Sequence, residues 1–203
     1  MTPTDVNGAL LWKGFLDRSA QEAMAADIRR VAEAAPLFHP ITPWGKPMTV
    51  RMTSAGKYGW FTDRRGYRYE ERHPETGEPW PEIPASVRAV WDAVAERQTP
   101  PDCCLVNYYS EKARMGLHQD KDEADFAFPV VSISLGDPAV FRIGGLERKG
   151  PTQSVALESG DVLVMGGAAR LAYHGIDRIR FGQSDLLPRG GRINLTLRRV
   201  DPA

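Results

Sequence analysis

Cysteine is scarce in this chain, and long apolar runs are absent from it. The 203 residues include two cysteines, Cys103 and Cys104, which are adjacent. Neighbouring residues on a strand point to opposite faces, so we expect two reduced, buried thiols in a cytoplasmic protein. No stretch approaches the ~20 apolar residues that a membrane-spanning helix needs, and the first residues do not resemble a signal peptide. These absences argue against a membrane protein and against a secreted disulfide scaffold.

A net charge is also absent, because 26 Lys and Arg are matched by 26 Asp and Glu. The total charge therefore gives no support for a nucleic-acid partner. The distribution is less even, since residues 142–199 hold ten Lys and Arg against five Asp and Glu, a local excess of five positive charges. A basic face of this kind can bind phosphates, although such an excess is as typical of a solvated surface.

Hydrophobic periodicity divides the chain into two parts near residue 100. Helices are predicted at Asp17–Ala35, where Ser19 and Glu22 fit a capping box, and at Ser86–Arg97. The segment between them is rich in proline, glycine and aromatics and is predicted to form strands and loops, including a lid. After Pro101, short strands separated by glycine turns are typical of a sandwich or barrel. These strands are predicted at Cys103–Tyr109, Val130–Leu135, Ala139–Ile143, Gln153–Leu157, Asp161–Met165 and Arg192–Arg198. We predict a single α+β domain over residues 1–203, with helices and lid in about 1–100 and the β core in about 101–203.

Three residues in the β-rich part form a candidate metal site. His118 and Asp120 are two positions apart, so on an extended backbone both side chains face the same way. His174 follows the predicted strand Asp161–Met165 after a short glycine-rich link. Two imidazoles and a carboxylate can occupy one face of an octahedron and leave three positions open, as in non-haem Fe(II) oxygenases. The same set also suits a catalytic zinc, so the triad alone leaves the metal undecided.

The predicted strand Arg192–Arg198 carries a polar face and an apolar face. Arg192, Asn194, Thr196 and Arg198 alternate with Ile193, Leu195 and Leu197. Arginines that face a protein interior require anions, and their guanidinium groups match carboxylates bidentately. The alternative is a strand whose polar side faces solvent. Together with the triad, the strand predicts an oxygenase that uses Fe(II), O2 and the dicarboxylate 2-oxoglutarate.

A family resemblance strengthens this prediction. The run LHQDKDE at 117–123 resembles the iron-binding signature of the AlkB family of DNA/RNA alkylation-repair dioxygenases, and is most similar to bacterial AlkB. Residues 173–176 and 192–198 resemble two further motifs of the family, in its order and at about its spacing. The likeness extends from about Met48 to Arg198 and includes Asn107–Tyr109 and a lid motif at 59–69. It implies a double-stranded β-helix, or jelly-roll, core with an N-terminal lid.

The resemblance also implies an activity, partners and residue roles. The activity is oxidative demethylation of bases such as 1-methyladenine and 3-methylcytosine, coupled to decarboxylation of 2-oxoglutarate and release of formaldehyde, succinate and CO2. The partner is alkylated DNA, with RNA as a further candidate. Apart from the resemblance, we expect the enzyme to be a monomer. The implied metal-binding and catalytic residues are His118, Asp120 and His174. The implied 2-oxoglutarate residues are Asn107, Tyr109, Arg192, Asn194 and Arg198. The implied substrate residues are Trp60, Tyr67, Arg68, Tyr69, Asp122 and Arg148.

Several of these assignments have plain structural alternatives. Trp60 and Tyr67 are also typical core residues, while Asp122 and Arg148 fit a solvated surface. Two positions depart from the bacterial pattern: Met165 stands where a tryptophan is expected, and Phe61 replaces a small polar residue. The remaining histidines, at 39 and 73, are predicted at the surface. Two other functions stay open: the same oxygenase chemistry on tRNA, protein or a small metabolite, and a non-catalytic jelly-roll binding module.

Overall fold

Two antiparallel β-sheets and two helices make up most of the computed structural model, which describes residues 2–202. The helices are α1 (Arg18–Ala34) and α2 (Ala85–Val94). The strands are β1 (Thr4–Val6), β2 (Ala9–Trp12), β3 (Arg51–Gly56), β4 (Gly59–Asp63), β5 (Gly66–Glu70), β6 (Cys103–Tyr109), β7 (Met115–His118), β8 (Val130–Gly136), β9 (Ala139–Gly144), β10 (Thr152–Leu157), β11 (Val162–Met165), β12 (His174–Ile179) and β13 (Arg192–Arg198). Among these residues, neither helix is both long and apolar enough to span a membrane.

The chain after residue 100 passes repeatedly between the two sheets. The larger sheet has the order β1-β2-β11-β8-β13-β6-β3, and the smaller has the order β10-β9-β12-β7. Strands β6, β8, β11 and β13 therefore alternate along the chain with strands of the smaller sheet. This winding is the pattern of a double-stranded β-helix, as predicted. The β4–β5 hairpin is separate from both sheets.

The larger sheet has an apolar face and a face that carries the polar residues. Leu195 and Leu197 of β13 are fully buried in a cluster that includes Met24 and Ile28 of α1 and Trp91 of α2. Because side chains alternate along a strand, the polar residues of β13 face the space between the two sheets instead. The predicted division of this strand is confirmed, and its arginine-bearing side is not in solvent.

The N-cap of helix α1 lies two residues before the predicted capping box. Its N-cap is Asp17, whose carboxylate accepts a hydrogen bond of 2.8 Å from the Ala20 amide. The predicted cap of Ser19 with Glu22 is wrong, because Glu22 instead forms an exposed ion pair with Arg18. An aspartate at this position satisfies the free amides of the first turn equally well.

The N-terminal part contributes strands that the sequence analysis did not predict. The β1–β2 hairpin turns at Asn7 and Gly8, both with positive φ (52° and 84°), and β2 pairs with β11. An Asn-Gly pair between alternating apolar residues is a strong hairpin signal, so this element was detectable. Together with β3, the hairpin extends the larger sheet at both edges.

Candidate metal centre and cosubstrate cavity

The three predicted metal ligands meet at one point on the smaller sheet. Strands β7 and β12 pair so that His118 lies directly opposite His174, with ring centroids 4.4 Å apart. Asp120 follows the end of β7, and its two carboxylate oxygens each lie 3.8 Å from one imidazole Nε2. All three ligand atoms lie within 4.8 Å of one another, which is a spacing that one ion can bridge.

Backbone carbonyls fix the orientation of both imidazoles. The Nδ1 of His118 lies 2.9 Å from the Gly116 oxygen, and the Nδ1 of His174 lies 3.0 Å from the Ala172 oxygen. Because a carbonyl accepts, each Nδ1 carries the proton, and the Nε2 lone pairs face Asp120. Burial, together with the nearby His118 ring, lowers the pKa of His174 to about 4 despite the attraction of Asp120. The neutral imidazole is the form that ligates a metal.

Asp120 is a buried carboxylate that stays ionised. Burial alone would raise its pKa, but the Arg198 guanidinium and the two imidazoles outweigh burial and hold the pKa well below its usual range. The Nη2 of Arg198 lies 2.9 Å from Oδ2 of Asp120. The triad therefore presents one negative charge and two neutral nitrogens, a donor set suited to a divalent cation with open positions.

The triad lies on the wall of a cavity of about 400 Å³ between the two sheets. All of the predicted 2-oxoglutarate residues line this cavity: Asn107, Tyr109, Arg192, Asn194 and Arg198. Of the predicted substrate residues, those that line it are Trp60, Tyr67, Asp122 and Arg148. The structure thus brings the metal ligands, a cationic end and an aromatic rim into one space.

Known proteins are similar to this chain. A family model described as the 2OG-Fe(II) oxygenase superfamily matches residues 8–198. A protein of Caulobacter vibrioides, described as "Alpha-ketoglutarate-dependent dioxygenase AlkB homolog", is 58% identical over 200 residues, which cover 98% of this chain and 91% of that protein. The chain belongs to the AlkB family of 2OG-Fe(II) oxygenases. It is accordingly an Fe(II)- and 2-oxoglutarate-dependent dioxygenase, as the sequence predicts.

Less similar proteins also match nearly the whole chain. The Arabidopsis thaliana protein named "DNA N(6)-methyladenine demethylase ALKBH1C" is 34% identical over 225 residues, which cover 95% of this chain but 48% of that protein. The solved structure of OsALKBH1 has a TM-score of 0.76 and 32% sequence identity, and 98% of each chain is covered. The overall fold is therefore similar to that of OsALKBH1.

The cationic end of the cavity fits a cosubstrate carboxylate. Arg192 is fully buried, and only its Nη2 donates a hydrogen bond, of 2.9 Å to the Ser134 hydroxyl. Its Nε and Nη1 have no hydrogen-bond partner among residues 2–202, and neither has the side-chain oxygen of Asn107. Burial lowers the pKa of Arg192 to about 10. A buried guanidinium with free donors is costly unless an anion meets it, and a carboxylate can accept from both nitrogens.

Arg198, in contrast, is compensated by the protein. Besides Asp120, its Nε lies 3.2 Å from the buried carboxylate of Glu123. Glu123 also pairs with Arg170 at 2.9 Å and accepts a hydrogen bond of 2.5 Å from the Tyr69 hydroxyl. Arg170 in turn donates to the Asp120 backbone oxygen at 2.6 Å. This buried network fixes the segment that carries the metal ligand Asp120.

The sequence analysis did not assign roles to Glu123 and Arg170. Glu123 is the last residue of the motif at 117–123, but a carboxylate beside other acidic residues usually faces solvent. Arg170 follows Gly167–Ala169, a short 3₁₀ turn, and no periodicity marks it. Only the paired burial of both side chains, which are 1% and 3% exposed, reveals their connection.

The β4–β5 hairpin places an aromatic pair at the rim of the cavity. Trp60 and Tyr67 are stacked, with centroids 5.5 Å apart and an interplanar angle of 21°. The indole nitrogen of Trp60 donates to the Asp122 carboxylate at 3.0 Å. Gly59 is required at the start of this hairpin, because an added Cβ would lie 2.3 Å from the Trp80 ring.

Two predicted substrate residues do not line the cavity. Arg68 lies on the opposite face of the hairpin, where it pairs with Asp63 and Glu70 and covers the Phe61 ring at 4.9 Å. The prediction that Arg68 binds the substrate is not supported by this placement, because the alternation along β5 turns it away from Tyr67. Tyr69 faces inward, but its hydroxyl is committed to Glu123.

The departures from the family pattern have clear positions. Phe61 packs on Phe38 within a small cluster that includes Trp80, so it anchors the back of the hairpin. His73 belongs to the same region and is 1% exposed, so its predicted surface location is wrong, whereas the exposure predicted for His39 is confirmed. Met165 is buried and lines the cavity, where it keeps apolar bulk without an aromatic ring.

Proposed function

We propose that this enzyme removes N-linked methyl groups from nucleobases of the 1-methyladenine and 3-methylcytosine type. The observation that carries the proposal is that two sets of groups share one cavity. The metal triad and a buried guanidinium with free hydrogen-bond donors lie inside it, and a stacked aromatic pair beside a carboxylate lies at its rim. The chemistry of the floor is that of the family. The rim has the features that a planar, cationic base requires.

Each residue set has a proposed role in the reaction. His118, Asp120 and His174 hold the iron. Arg192 and Arg198, aided by Asn107, Tyr109 and Asn194, orient 2-oxoglutarate. When bound, the iron and 2-oxoglutarate would supply O2-dependent oxidation of the N-methyl C–H bond, in which one oxygen atom of O2 enters the methyl group and the other enters succinate as CO2 is released. The resulting hydroxymethyl group then leaves as formaldehyde. The protein contributes ligation of the metal and orientation of the reactants.

The rim residues are proposed to select the base. A methylated base pairs weakly and leaves the stack at lower cost, so extrusion into a cavity favours damaged nucleotides. Trp60 and His118 both line the cavity and are proposed to hold the base between their rings, with Tyr67 supporting Trp60. The Asp122 carboxylate, oriented by the indole N–H, favours the cationic form of a methylated adenine or cytosine. Arg148 is proposed to contact the substrate along its backbone.

The β4–β5 hairpin is proposed to act as the nucleotide-recognition lid of a single catalytic domain over residues 1–203. Its back face is anchored through Phe61 and its front face through Tyr69 and Trp60, which favours a preorganised lid. We further propose that the enzyme acts as a monomer in the cytoplasm, on alkylated DNA and, as a second candidate, on RNA. A small metabolite is a poorer candidate, because its binding would not require a stacked aromatic pair at a wide rim.

The test is reconstitution without oxygen, followed by air and an oligonucleotide that contains 1-methyladenine. Mass spectrometry should show loss of one methyl group, dependent on both Fe(II) and 2-oxoglutarate. Asp120→Ala should abolish the loss, whereas the matched control Glu111→Ala, at an exposed carboxylate, should not. Succinate formation without demethylation of DNA or RNA oligonucleotides would retain the oxygenase and contradict the proposed substrate.

A further inference from the structure

An exposed tryptophan stands at the mouth of the cavity. The Trp44 side chain is 79% exposed, more than any other large apolar residue within 2–202. Isolated exposed apolar residues are common, but Trp44 also lines the cavity that holds the metal triad. A large indole at the edge of a binding site is a candidate contact for whatever enters that site.

The loop that carries Trp44 is a turn that is held by hydrogen bonds. The Thr42 amide donates to the Lys46 oxygen at 2.8 Å, and the Gly45 amide donates to the Thr42 oxygen at 2.8 Å. The Lys46 amide adds a hydrogen bond of 3.1 Å to the Thr42 hydroxyl. Gly45 has a φ of +79°, which a side chain would strain. The turn therefore presents the indole outward in a defined place.

Two cationic side chains lie on or beside the turn that carries the indole. Lys46 is exposed beside it on the same turn. The Arg64 guanidinium, from the turn of the β4–β5 hairpin, reaches within 3.9 Å of the position that a Cβ on Gly45 would occupy. Aromatic surface interleaved with cations is the chemistry that binds a nucleic-acid strand, because bases stack on the rings and phosphates meet the charges. A nucleic-acid strand matches this combination of a ring and cations better than a protein partner does, because it carries both stacking bases and phosphates.

We propose that Trp44 stacks on the nucleotide adjacent to the one whose base enters the cavity, with Lys46 and Arg64 beside the phosphates. This inference rests on the proposed function, since it assumes a nucleic-acid substrate. Extrusion of a base removes a stacking partner from its neighbour. Trp60 and Tyr67 then contact the extruded base, while Trp44 stacks on its neighbour. This additional contact makes a strand a better substrate than a nucleoside.

The test measures binding by the iron- and 2-oxoglutarate-loaded enzyme without oxygen. The ligands are a 1-methyladenine oligonucleotide with 2-aminopurine on either side of the lesion, and free 1-methyladenosine. Trp44→Ala should weaken oligonucleotide binding by about tenfold, within the range of about 5- to 150-fold that stacking on an aromatic ring provides. Its complex should also be brighter, because the neighbouring 2-aminopurine loses a stacking partner. Binding of the nucleoside should not change.

Two controls separate stacking from general disruption. Trp44→Phe keeps an aromatic face and should retain most of the affinity and the quenching. Phe181→Ala removes an exposed aromatic residue beyond the far end of β12 and should behave like the wild type.

Three outcomes would overturn the inference. Equal oligonucleotide affinity and equal brightness in Trp44→Ala and wild type, with demethylation intact, would overturn it while the proposed function stands. A wild-type enzyme that neither binds nor demethylates the oligonucleotide would overturn both. A dimer in sedimentation that Trp44→Ala converts to monomer would show that the indole contacts a second copy instead.

Discussion

The floor and the rim of the cavity are built differently. The floor consists of buried charges on or directly beside paired strands, with Arg192 on β13 and Asp120 just after the end of β7. The rim consists of turns and a hairpin, with Tyr67 48% and Trp44 79% exposed. Rigid elements suit chemistry that tolerates little displacement, whereas exposed turns suit recognition of a large partner. The comparison indicates that the floor sets the reaction and the rim sets the substrate.

The floor itself contains two unlike arginines. Both guanidinium groups have two nitrogens without a hydrogen-bond partner among residues 2–202, but Arg198 forms ion pairs with two carboxylates, whereas Arg192 has no ion pair with the described residues. The charge of Arg198 is thus part of the folded structure, and the charge of Arg192 awaits a ligand. Removal of Arg192 and removal of Arg198 should therefore have different consequences for cosubstrate binding and for stability.

The largest effect is expected at the metal ligands. Asp120→Ala removes the one anionic ligand and leaves Arg198 with Glu123 alone, so iron binding and turnover should be lost. We expect a decrease in kcat/KM of at least about 10³-fold, as for the loss of a group that acts directly in the reaction. Metal analysis and succinate release measure the two losses separately. Near-wild-type succinate release from an iron-loaded variant would contradict the assignment.

Arg192 should affect cosubstrate binding more than folding. Arg192→Met removes the buried cation, so the KM for 2-oxoglutarate should rise by about 100-fold, which corresponds to a charge-assisted hydrogen-bonded pair of about 3 kcal/mol. Without cosubstrate, the variant should be at least as stable as the wild type, because an uncompensated buried charge is replaced by apolar bulk. Thermal unfolding with and without 2-oxoglutarate checks both statements. A large loss of stability in the absence of 2-oxoglutarate would show that Arg192 is structural.

Glu123 should show the opposite balance. Glu123→Gln leaves Arg170 and Arg198 without their shared counter-charge, and removing one partner of a buried ion pair typically costs about 3–5 kcal/mol. Unfolding in urea should show this loss, accompanied by weaker iron binding because Asp120 is less firmly placed. Glu111→Gln, at an exposed carboxylate, is the matched control. Unchanged stability in Glu123→Gln would mean that the network is not essential to the floor.

The sequence predicted the floor better than the network around it. His118 and Asp120 share a face because of strand periodicity, and the polar side of Arg192–Arg198 follows from the same rule. Glu123 and Arg170 were not found, because their burial depends on long-range packing that no local pattern encodes. The hairpin motif was located, yet Arg68, which the motif implied as a substrate residue, does not line the cavity, since a motif names residues without fixing the direction of their side chains.

At the rim, Trp60 should affect the base and leave the cosubstrate alone. Trp60→Ala should weaken binding of a methylated oligonucleotide by about 5- to 150-fold, the range for the loss of one aromatic stacking partner. The KM for 2-oxoglutarate should stay unchanged, because the floor is built on other elements. Trp60→Phe keeps the stacking but loses the hydrogen bond to Asp122, so it should recover part of the affinity. Equal changes in both constants would show that the rim and the floor are coupled.

The smallest effect is expected at Arg68. Its ion pairs with Asp63 and Glu70 are partly exposed, and such pairs contribute at most about 1 kcal/mol to the free energy of unfolding. Arg68→Gln should therefore lower stability slightly and leave the salt dependence of oligonucleotide binding unchanged, since the guanidinium faces away from the cavity. A phosphate contact would instead reduce the slope of log Kd against log salt by about one. The salt titration thus distinguishes an arginine that stabilises the hairpin from one that contacts a phosphate of the nucleic acid.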